Sequence, residues 1–302
     1  MKTLSFFYII IAGVLWGTSG LFSHALTPYG FTPLHLAAVR GTVSFLLMAT
    51  FLLIRRRTAF HLPKSALLLC AGCGLMLFGT SSAYYASMSL TSVSTAVVLM
   101  YTAPVLVMIF SISFLGERLT RLKLLSVGCM LAGCLLVSGV IGGMKFDLLG
   151  VLMGLLSGVT FATYNILTKV EMQRGYDPVS TSLYGYLFMG LFGLCASHPQ
   201  SMPASIAKAP ALTLPLLIGL GLFTVLIPYF LYTLALRDLP AGTASALSIV
   251  EPMSATVFSI LFLKERLTLL SAIGMLLILL AVFLLSRAES GIHQKRKDSP
   301  TS

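Results

Sequence analysis

Long apolar runs separated by short polar segments make up nearly the whole chain. Ten of these runs approach or exceed the roughly 20 residues that a helix needs to cross a lipid bilayer. We therefore predict transmembrane helices at Phe6–Leu26, Leu34–Ile54, Ser65–Met88, Ser94–Leu115, Lys123–Ile141, Asp147–Lys169, Pro178–His198, Leu212–Leu236, Pro240–Phe262 and Leu269–Ser286. The connections leave no room for a soluble domain, so the expected fold class is an all-α integral membrane protein.

One segment occurs twice. Residues Pro104–Thr120 read PVLVMIFSISFLGERLT and residues Pro252–Thr268 read PMSATVFSILFLKERLT, with ten of the seventeen positions identical. This match indicates an internal duplication. Each half, 1–143 and 144–287, then carries five predicted helices, and an odd number places the second half in the opposite orientation. The sequence thus predicts ten transmembrane helices as two inverted five-helix repeats, an architecture of secondary transporters whose substrate site lies between the repeats.

Composition agrees with a membrane protein, since 57% of the residues are hydrophobic and only 10% are charged, against about 25% charged in soluble domains. The net charge of +11 is not clustered on one face, so we expect no nucleic-acid partner. Lys and Arg are instead biased to one side of the predicted helices, with fifteen inside and four outside, namely Lys145, Lys208, Lys264 and Arg266. This bias predicts that both termini are cytoplasmic. The basic tail, 288–302, is expected to be disordered.

The reactive residue types do not form an enzyme site. All five cysteines fall in apolar runs, and the pair Cys70 and Cys73 has no second pair or nearby His, which favours packing over metal or redox chemistry. The histidines fall at helix ends, in loops or in the tail, and the chain has no nucleotide-binding loop. We therefore expect neither an enzyme nor an ATP-driven pump, and no metal or cofactor. A carrier, either secondary active or facilitative, is the favoured class, and a passive channel or a membrane assembly protein is the alternative.

Two charged residues lie inside predicted helices. Glu251 is close to the bilayer centre and precedes Pro252, which removes a backbone donor. A charge at this depth costs several kcal/mol, so an intramembrane acid favours a functional role. We expect Glu251 to exchange a proton during transport; alternatively, it is a neutral glutamate bonded to a neighbouring helix. Its counterpart in the first repeat is Ala103. Arg40 either extends to the outer interface, or it pairs with a substrate carboxylate or holds the outer gate.

Polar and aromatic residues inside the predicted helices are candidates for a substrate cavity, although each could instead join two helices. They are Trp16, Tyr84, Tyr101, Tyr164, Asn165, Tyr229, Tyr232 and Ser248. On the ninth helix, Ala244, Ser248, Glu251, Ala255 and Ser259 share one face, as a cavity wall would. We assign structural roles to Gly13, Gly17 and Gly158, whose spacing permits close helix approach. The same holds for Pro104, Pro252, Glu117 and Glu265, which belong to the repeated segment.

The combination of Trp16-Gly17, Arg40 and a Pro…Leu-x-Glu-Arg-Leu-Thr segment in each half resembles the EamA-type family. This is the ten-helix branch of the drug/metabolite transporter superfamily. The resemblance implies a multi-pass carrier of the bacterial plasma membrane that exports small metabolites, often amino acids. It also implies a central cavity lined by the first, third, fourth, sixth, eighth and ninth helices. The expected partners are a small-molecule substrate and the lipid bilayer, and the protein would be a monomer or a homodimer.

Overall fold

The computed structural model describes residues 2–91, 96, 99–107, 110, 120–137, 147–263, 269–270, 272–281 and 283–284. Within these ranges the chain is helical, with turns between the helices and no strand. The helices, numbered in chain order, are α1 (Lys2–Trp16), α2 (Ser19–Leu26), α3 (Pro33–Arg55), α4 (Lys64–Leu90), α5 (Arg121–Val137), α6 (Leu148–Gln173), α7 (Pro178–Ala196), α8 (Met202–Ala207), α9 (Pro210–Gly221), α10 (Ile227–Asp238), α11 (Ala241–Leu247), α12 (Val250–Leu263) and α13 (Ala272–Ala281).

Six helical segments in the described ranges are long and apolar enough to cross a membrane. They are Thr3–Tyr29, Pro33–Arg55, Lys64–Leu90, Leu148–Gln173, Pro178–Ala196 and Pro210–Asp238. Each coincides, within a few residues, with one of the ten predicted helices. The other four predictions fall on shorter helices or partly on residues outside the described ranges. The count of ten and the inverted repeat therefore stay predictions.

Two predicted continuous helices are broken. The span predicted over Phe6–Leu26 coincides with Thr3–Tyr29 but is not one regular helix, because α1 and α2 are separated by a turn at Gly17 and Thr18. The prediction over Pro240–Phe262 is wrong for the same reason, since α11 and α12 are separated by a turn at Ser248 and Ile249. The second break has a local cause: Pro252 has no N–H to donate to the carbonyl of Ser248, four residues earlier.

Pro228 has a similar effect between α9 and α10. It cannot donate to the carbonyl of Thr224, and the chain forms a π-helix at Leu222–Leu226. Side chains of neighbouring helices bond three carbonyls around this π-helix: Arg40 bonds that of Thr224 at 2.8 Å, Ser44 that of Gly221 at 2.9 Å and Tyr186 that of Leu226 at 3.1 Å. The irregular backbone is thus satisfied by the protein, as it must be within a membrane.

Glycines mark where helices meet most closely. A Cβ built on Gly13 of α1 would lie 3.1 Å from Cβ of Val250 in α12, so these two backbones are nearly in contact. A Cβ on Gly158 of α6 would lie 2.7 Å from Oγ1 of Thr102. Small residues permit this approach in lipid. Both contacts bring the first predicted helix of one half against the fourth predicted helix of the other half.

Candidate functional site

A cavity of about 30 Å³ lies where α1 and α2, α3, α4, α6, α10, α12 and residues 99–107 meet. It is lined by Trp16, Ser19, Arg40, Thr80, Ser81, Tyr84, Met100, Phe161, Tyr229 and Glu251. We call it the Glu251 cavity. A water needs roughly 10–15 Å³, so there is room for about two or three waters. The cavity is polar on one side and aromatic on the other, and in this conformation it is narrow.

Glu251 lies in the first turn of α12 and is held by a residue from the other half of the chain. The hydroxyl of the buried Tyr101 donates to its Oε2 at 2.9 Å and lies 3.2 Å from the carbonyl oxygen of Ser248. That carbonyl is the one that Pro252 leaves without its usual helical donor. Tyr101 and Ser248, both predicted as cavity residues, therefore lie behind the acid and fix its position.

Arg40 lies in the protein interior, where only 4% of its surface is exposed. Its guanidinium donates to the carbonyl of Thr224 at 2.8 Å, to Ser81 Oγ at 3.3 Å and to the Tyr85 hydroxyl at 3.4 Å. The interpretation in which Arg40 extends to the outer interface is thus wrong. The reason is the carbonyl of Thr224, which lacks its usual helical donor at Pro228 and accepts from the charged guanidinium in the interior.

The cavity contains a carboxyl group, from Glu251, and a guanidinium group, from Arg40, that are not paired with each other. Among the residues described, no salt bridge joins Arg40 to Glu251. Two buried donors, Nε of Arg40 and Nε1 of Trp16, have no hydrogen-bond acceptor there. Buried donors of this kind are uncommon in folded proteins, so each calls for a reason. Both residues line the Glu251 cavity.

Aromatic rings form the other wall. The Trp16 ring lies 4.8 Å from that of Tyr229 and 5.5 Å from that of Tyr232. Tyr232 donates to Oδ1 of Asn165, which also bonds the carbonyl of Phe161 through Nδ2 at 2.7 Å. Asn165 and Tyr232 are fully buried behind the rings. They connect α6 to α10 and do not line the cavity.

The predicted site residues therefore differ in where they lie relative to the cavity. Trp16, Arg40, Tyr84, Tyr229 and Glu251 line the cavity, and Tyr101 and Ser248 support Glu251. Asn165 and Tyr232 lie behind the aromatic wall, and Tyr164 lines a second cavity with Thr168 and Glu171. Glu117 and Glu265 lie outside the described residues, as does the side chain of Ser259.

Sequence reasoning missed Ser81, Tyr85 and Glu171. Ser81 and Tyr85 are four residues apart and share one face of α4 with Arg40 as their partner. A polar pair four residues apart in an apolar helix could have indicated these site residues from the sequence. Glu171 was missed because the sixth helix was predicted to end at Lys169, whereas α6 extends to Gln173.

The comparisons with known proteins agree on a family. A model of the EamA-like transporter family matches residues 3–139 and again residues 148–287. The uncharacterized transporter YwfM of Bacillus subtilis (strain 168) is 26% identical over 282 residues, 93% of either chain. An uncharacterized transporter of Archaeoglobus fulgidus is 27% identical over 276 residues, which cover 91% of this chain and 94% of that one.

A protein of known crystal structure has the same fold, with a TM-score of 0.78 over 99% of this chain and 100% of its own. Its sequence identity is only 19%, so this likeness concerns the fold alone. The family match covers nearly the whole chain, and the apolar helices fit a protein that crosses the membrane several times. The chain therefore belongs to the EamA-like transporter family and is a multi-pass membrane protein.

Proposed function

We propose that this protein is a secondary transporter of the bacterial plasma membrane that exports a small polar metabolite, with an amino acid as the favoured substrate class. Transport would occur by alternating access around the Glu251 cavity. The observation that carries the proposal is the presence of Glu251 and Arg40 in one cavity without an ion pair between them. These groups come from opposite halves of the chain.

The cavity has the chemistry to bind an amino acid. At neutral pH such a molecule carries a carboxylate and an ammonium group. Arg40 and Nε1 of Trp16 would donate to the carboxylate, and Glu251 would accept from the ammonium group. Hydrogen bonds to charged groups contribute about 1.5–3 kcal/mol each, more than neutral ones. The aromatic wall around Trp16 would contact the side chain of the substrate.

Glu251 would also couple transport to protons. One carboxylate binds either the ammonium group of the substrate or a proton, so the two compete for Glu251. Substrate leaving outward would let Glu251 take up a proton, and release of that proton inward would let the next substrate bind. Tyr101 keeps Glu251 oriented in both steps, because its hydroxyl can bond either form of the carboxyl group.

Packing between the halves supports alternating access. In the alignment of the repeats, Gly158 corresponds to Gly13 and Val250 corresponds to Thr102. The close contacts join Gly13 to Val250 and Gly158 to Thr102, so equivalent helices meet equivalent partners. The Glu251 cavity is too narrow for an amino acid, since it holds about two or three waters. Substrate would therefore enter only when one of these helix pairs moves apart.

Metabolite profiling tests the export. Medium from cells that overexpress the protein should gain a metabolite that medium from cells lacking it does not, and an amino acid is expected. In proteoliposomes, transport of that metabolite should saturate and show counter-transport. Flux that rises linearly without saturation would indicate a channel instead. No difference in the media would contradict the export proposal and favour an assembly role.

The Glu251→Gln variant tests the coupling. It keeps the shape of the side chain but stays neutral, so we expect it to lose accumulation driven by a pH gradient. The Asp147→Asn variant is the control, because Asp147 caps α6 through the N–H of Gly150 and Asn caps equally well. If wild type and Glu251→Gln accumulate substrate equally at every pH, Glu251 does not couple transport to protons.

A further inference from the structure

A second cavity of about 10 Å³ lies between α4, α6, α7 and α10, with room for about one water. Its polar lining residues include Cys73, Tyr164, Thr168, Glu171, Tyr186 and Thr233. Tyr164 separates it from the Glu251 cavity, because its ring packs at 5.4 Å against that of Tyr229, which lines the Glu251 cavity. We call this second space the Glu171 cavity.

Glu171 is buried there with weak partners. Only 2% of its surface is exposed. Its Oε1 accepts from the thiol of Cys73 at 3.6 Å. Thiols are weak donors, so they compensate little of the cost of burying a carboxylate. Among the described residues, no basic side chain forms an ion pair with Glu171.

The charged groups at this end of the molecule are engaged elsewhere. Lys169 donates to the carbonyls of Leu236 and Leu239, at 2.7 Å each. Asp177 caps the start of α7 by accepting from the N–H of Ser180 and lies 3.5 Å from Arg56. Lys169 and Arg56 therefore bond other groups, and the start of α7 already has its own carboxylate.

The titratable groups that face Glu171 are neutral residues. Cys70 and Cys73 come from α4, Tyr186 from α7, and Tyr164 from α6 itself, while α10 contributes Thr233. None of these side chains supplies a positive charge. An ionised Glu171 would thus carry a negative charge that no cation among the described residues balances.

The position of Glu171 in its helix adds to this cost. It lies in the last turn of α6, where the negative end of the helix dipole opposes an anion. The end is fixed, because Gly175 has the left-handed φ of 74° and the N–H of Tyr176 donates to the carbonyl of Glu171. The backbone at Glu171 is therefore fixed at the end of α6.

A bound cation would remove the cost of burying this carboxylate. The size of the cavity and the groups around Glu171 determine which cation fits. The cavity holds about one water, which leaves no room for a hydrated metal ion. Hard cations prefer oxygen ligands, whereas the group that bonds the Glu171 carboxyl is the thiol of Cys73. In the described part of the chain, no group of three or more His, Cys, Asp or Glu is placed to hold a metal ion. A proton meets every condition.

We propose that the Glu171 cavity is a second proton-binding site, distinct from Glu251 and near the membrane face at which α6 ends. Glu171 takes up a proton from that face and returns it there, and the thiol of Cys73 bonds the carboxyl group. By the distribution of Lys and Arg this is the predicted cytoplasmic face. The inference does not depend on the identity of the transported molecule.

Infrared difference spectroscopy of the full-length protein in lipid tests this site without a substrate. The probe is the proton itself, varied by titrating pH in choline chloride buffer. Neutral carboxylic acids give a carbonyl-stretch band that carboxylates lack. We expect a buried band in wild type that fades as the pH rises and is absent from Glu171→Gln. The Asp177→Asn control removes a carboxyl group at the same end, keeps the helix cap and should match wild type.

Two further measurements keep the test decisive. Cys73→Ala leaves Glu171 in place but removes its donor, so the band should shift in frequency even if Glu171→Gln does not fold. Exchange of choline for sodium at constant pH should change nothing. A spectrum of Glu171→Gln identical to wild type, or an unshifted band in Cys73→Ala, would overturn the proposal. A sodium-dependent loss of the band would assign the site to a metal cation instead.

Discussion

Single residues in the Glu251 cavity act in pairs that span the two halves of the chain. Tyr101 bonds Glu251, and Arg40 bonds the carbonyl of Thr224. In both pairs a proline contributes, because Pro252 and Pro228 each remove the usual helical donor to a carbonyl that a side chain from elsewhere approaches. Glu251 and Arg40 are thus held next to carbonyls that lack their usual helical donor, and the prolines responsible can be read in the sequence. Their separation within the cavity leaves both available to a ligand.

Trp16 offers a direct measurement of ligand binding, because it is the chain's one tryptophan and lines the Glu251 cavity. We expect an amino acid substrate to change its fluorescence in a saturable way. In Glu251→Gln the affinity should fall by about tenfold or more, since a hydrogen bond to a charged group contributes about 1.5–3 kcal/mol. Asp147→Asn serves as the control and should bind like wild type. Equal affinities in wild type and Glu251→Gln would remove Glu251 from the binding site.

The helices that surround the cavity are interrupted at the cavity. α1 gives way to α2 at Gly17, α11 to α12 at Ser248, and a π-helix joins α9 to α10. Residues 99–107 also contain a turn, at Tyr101 and Thr102. Discontinuous helices near a midplane site are a feature of secondary transporters, where free backbone groups can serve a ligand. In this protein, side chains form hydrogen bonds to several of those backbone groups.

The turn at Gly17 allows a specific stability prediction. A Cβ built on Gly17 would lie 2.8 Å from both the Ala255 nitrogen and Cβ of Ser254. Gly17→Ala should therefore force α1 away from α12 and cost about 1–3 kcal/mol, as overpacking does. Gly20, three residues on in α2, has nothing within 4 Å of a built Cβ. Gly20→Ala should be neutral or stabilising by up to about 1 kcal/mol. Thermal unfolding in detergent compares the two, and equal melting temperatures would contradict the packing argument.

What the sequence could predict depended on the range of the interaction involved. The length of apolar runs located the six described spans, and a charge inside such a run singled out Glu251 and Arg40. The breaks at Gly17 and Ser248 were not predicted, because tertiary contacts decide whether a helix continues. The pairing of Arg40 with Thr224 required knowing which helix lies beside α3. Glu171 was missed because Lys169, close to it, resembled a helix end at the membrane surface.

For the whole molecule, the distribution of Lys and Arg predicts that both termini are cytoplasmic. A reporter that is active only in the cytoplasm, fused after Ser302, should therefore be active in intact cells. A reporter that requires export should be inactive at the same position. The same pair fused after Lys145, which is predicted to lie outside, gives the matched control with the reverse result. Activity of the export-dependent reporter at Ser302 would overturn the orientation, including the cytoplasmic assignment of the Glu171 cavity.

If the two halves are inverted repeats, the inward-open and outward-open states differ by an exchange of conformation between the two halves. The contact of α1 with α12 then becomes a contact of α6 with residues 99–107, so it can break during transport. The contact of α3 with α7 joins the second helix of each repeat and maps onto itself, so it should persist. A disulfide between Gly13→Cys and Val250→Cys, whose Cβ atoms are 3.1 Å apart, is close enough to form with a small shift.

In a background without the five native cysteines, that disulfide should abolish transport in proteoliposomes, and a reductant should restore it. The control pair is Thr42→Cys with Gly190→Cys between α3 and α7, because a Cβ built on Gly190 would lie 3.0 Å from Oγ1 of Thr42, the atom that the thiol replaces. This crosslink should leave transport nearly unchanged, because its contact is the same in both states. Transport that survives the first crosslink would show that α1 and α12 stay together throughout the cycle. Loss of transport with the control crosslink alone would place the moving interface between α3 and α7, against the symmetry of the proposed repeats.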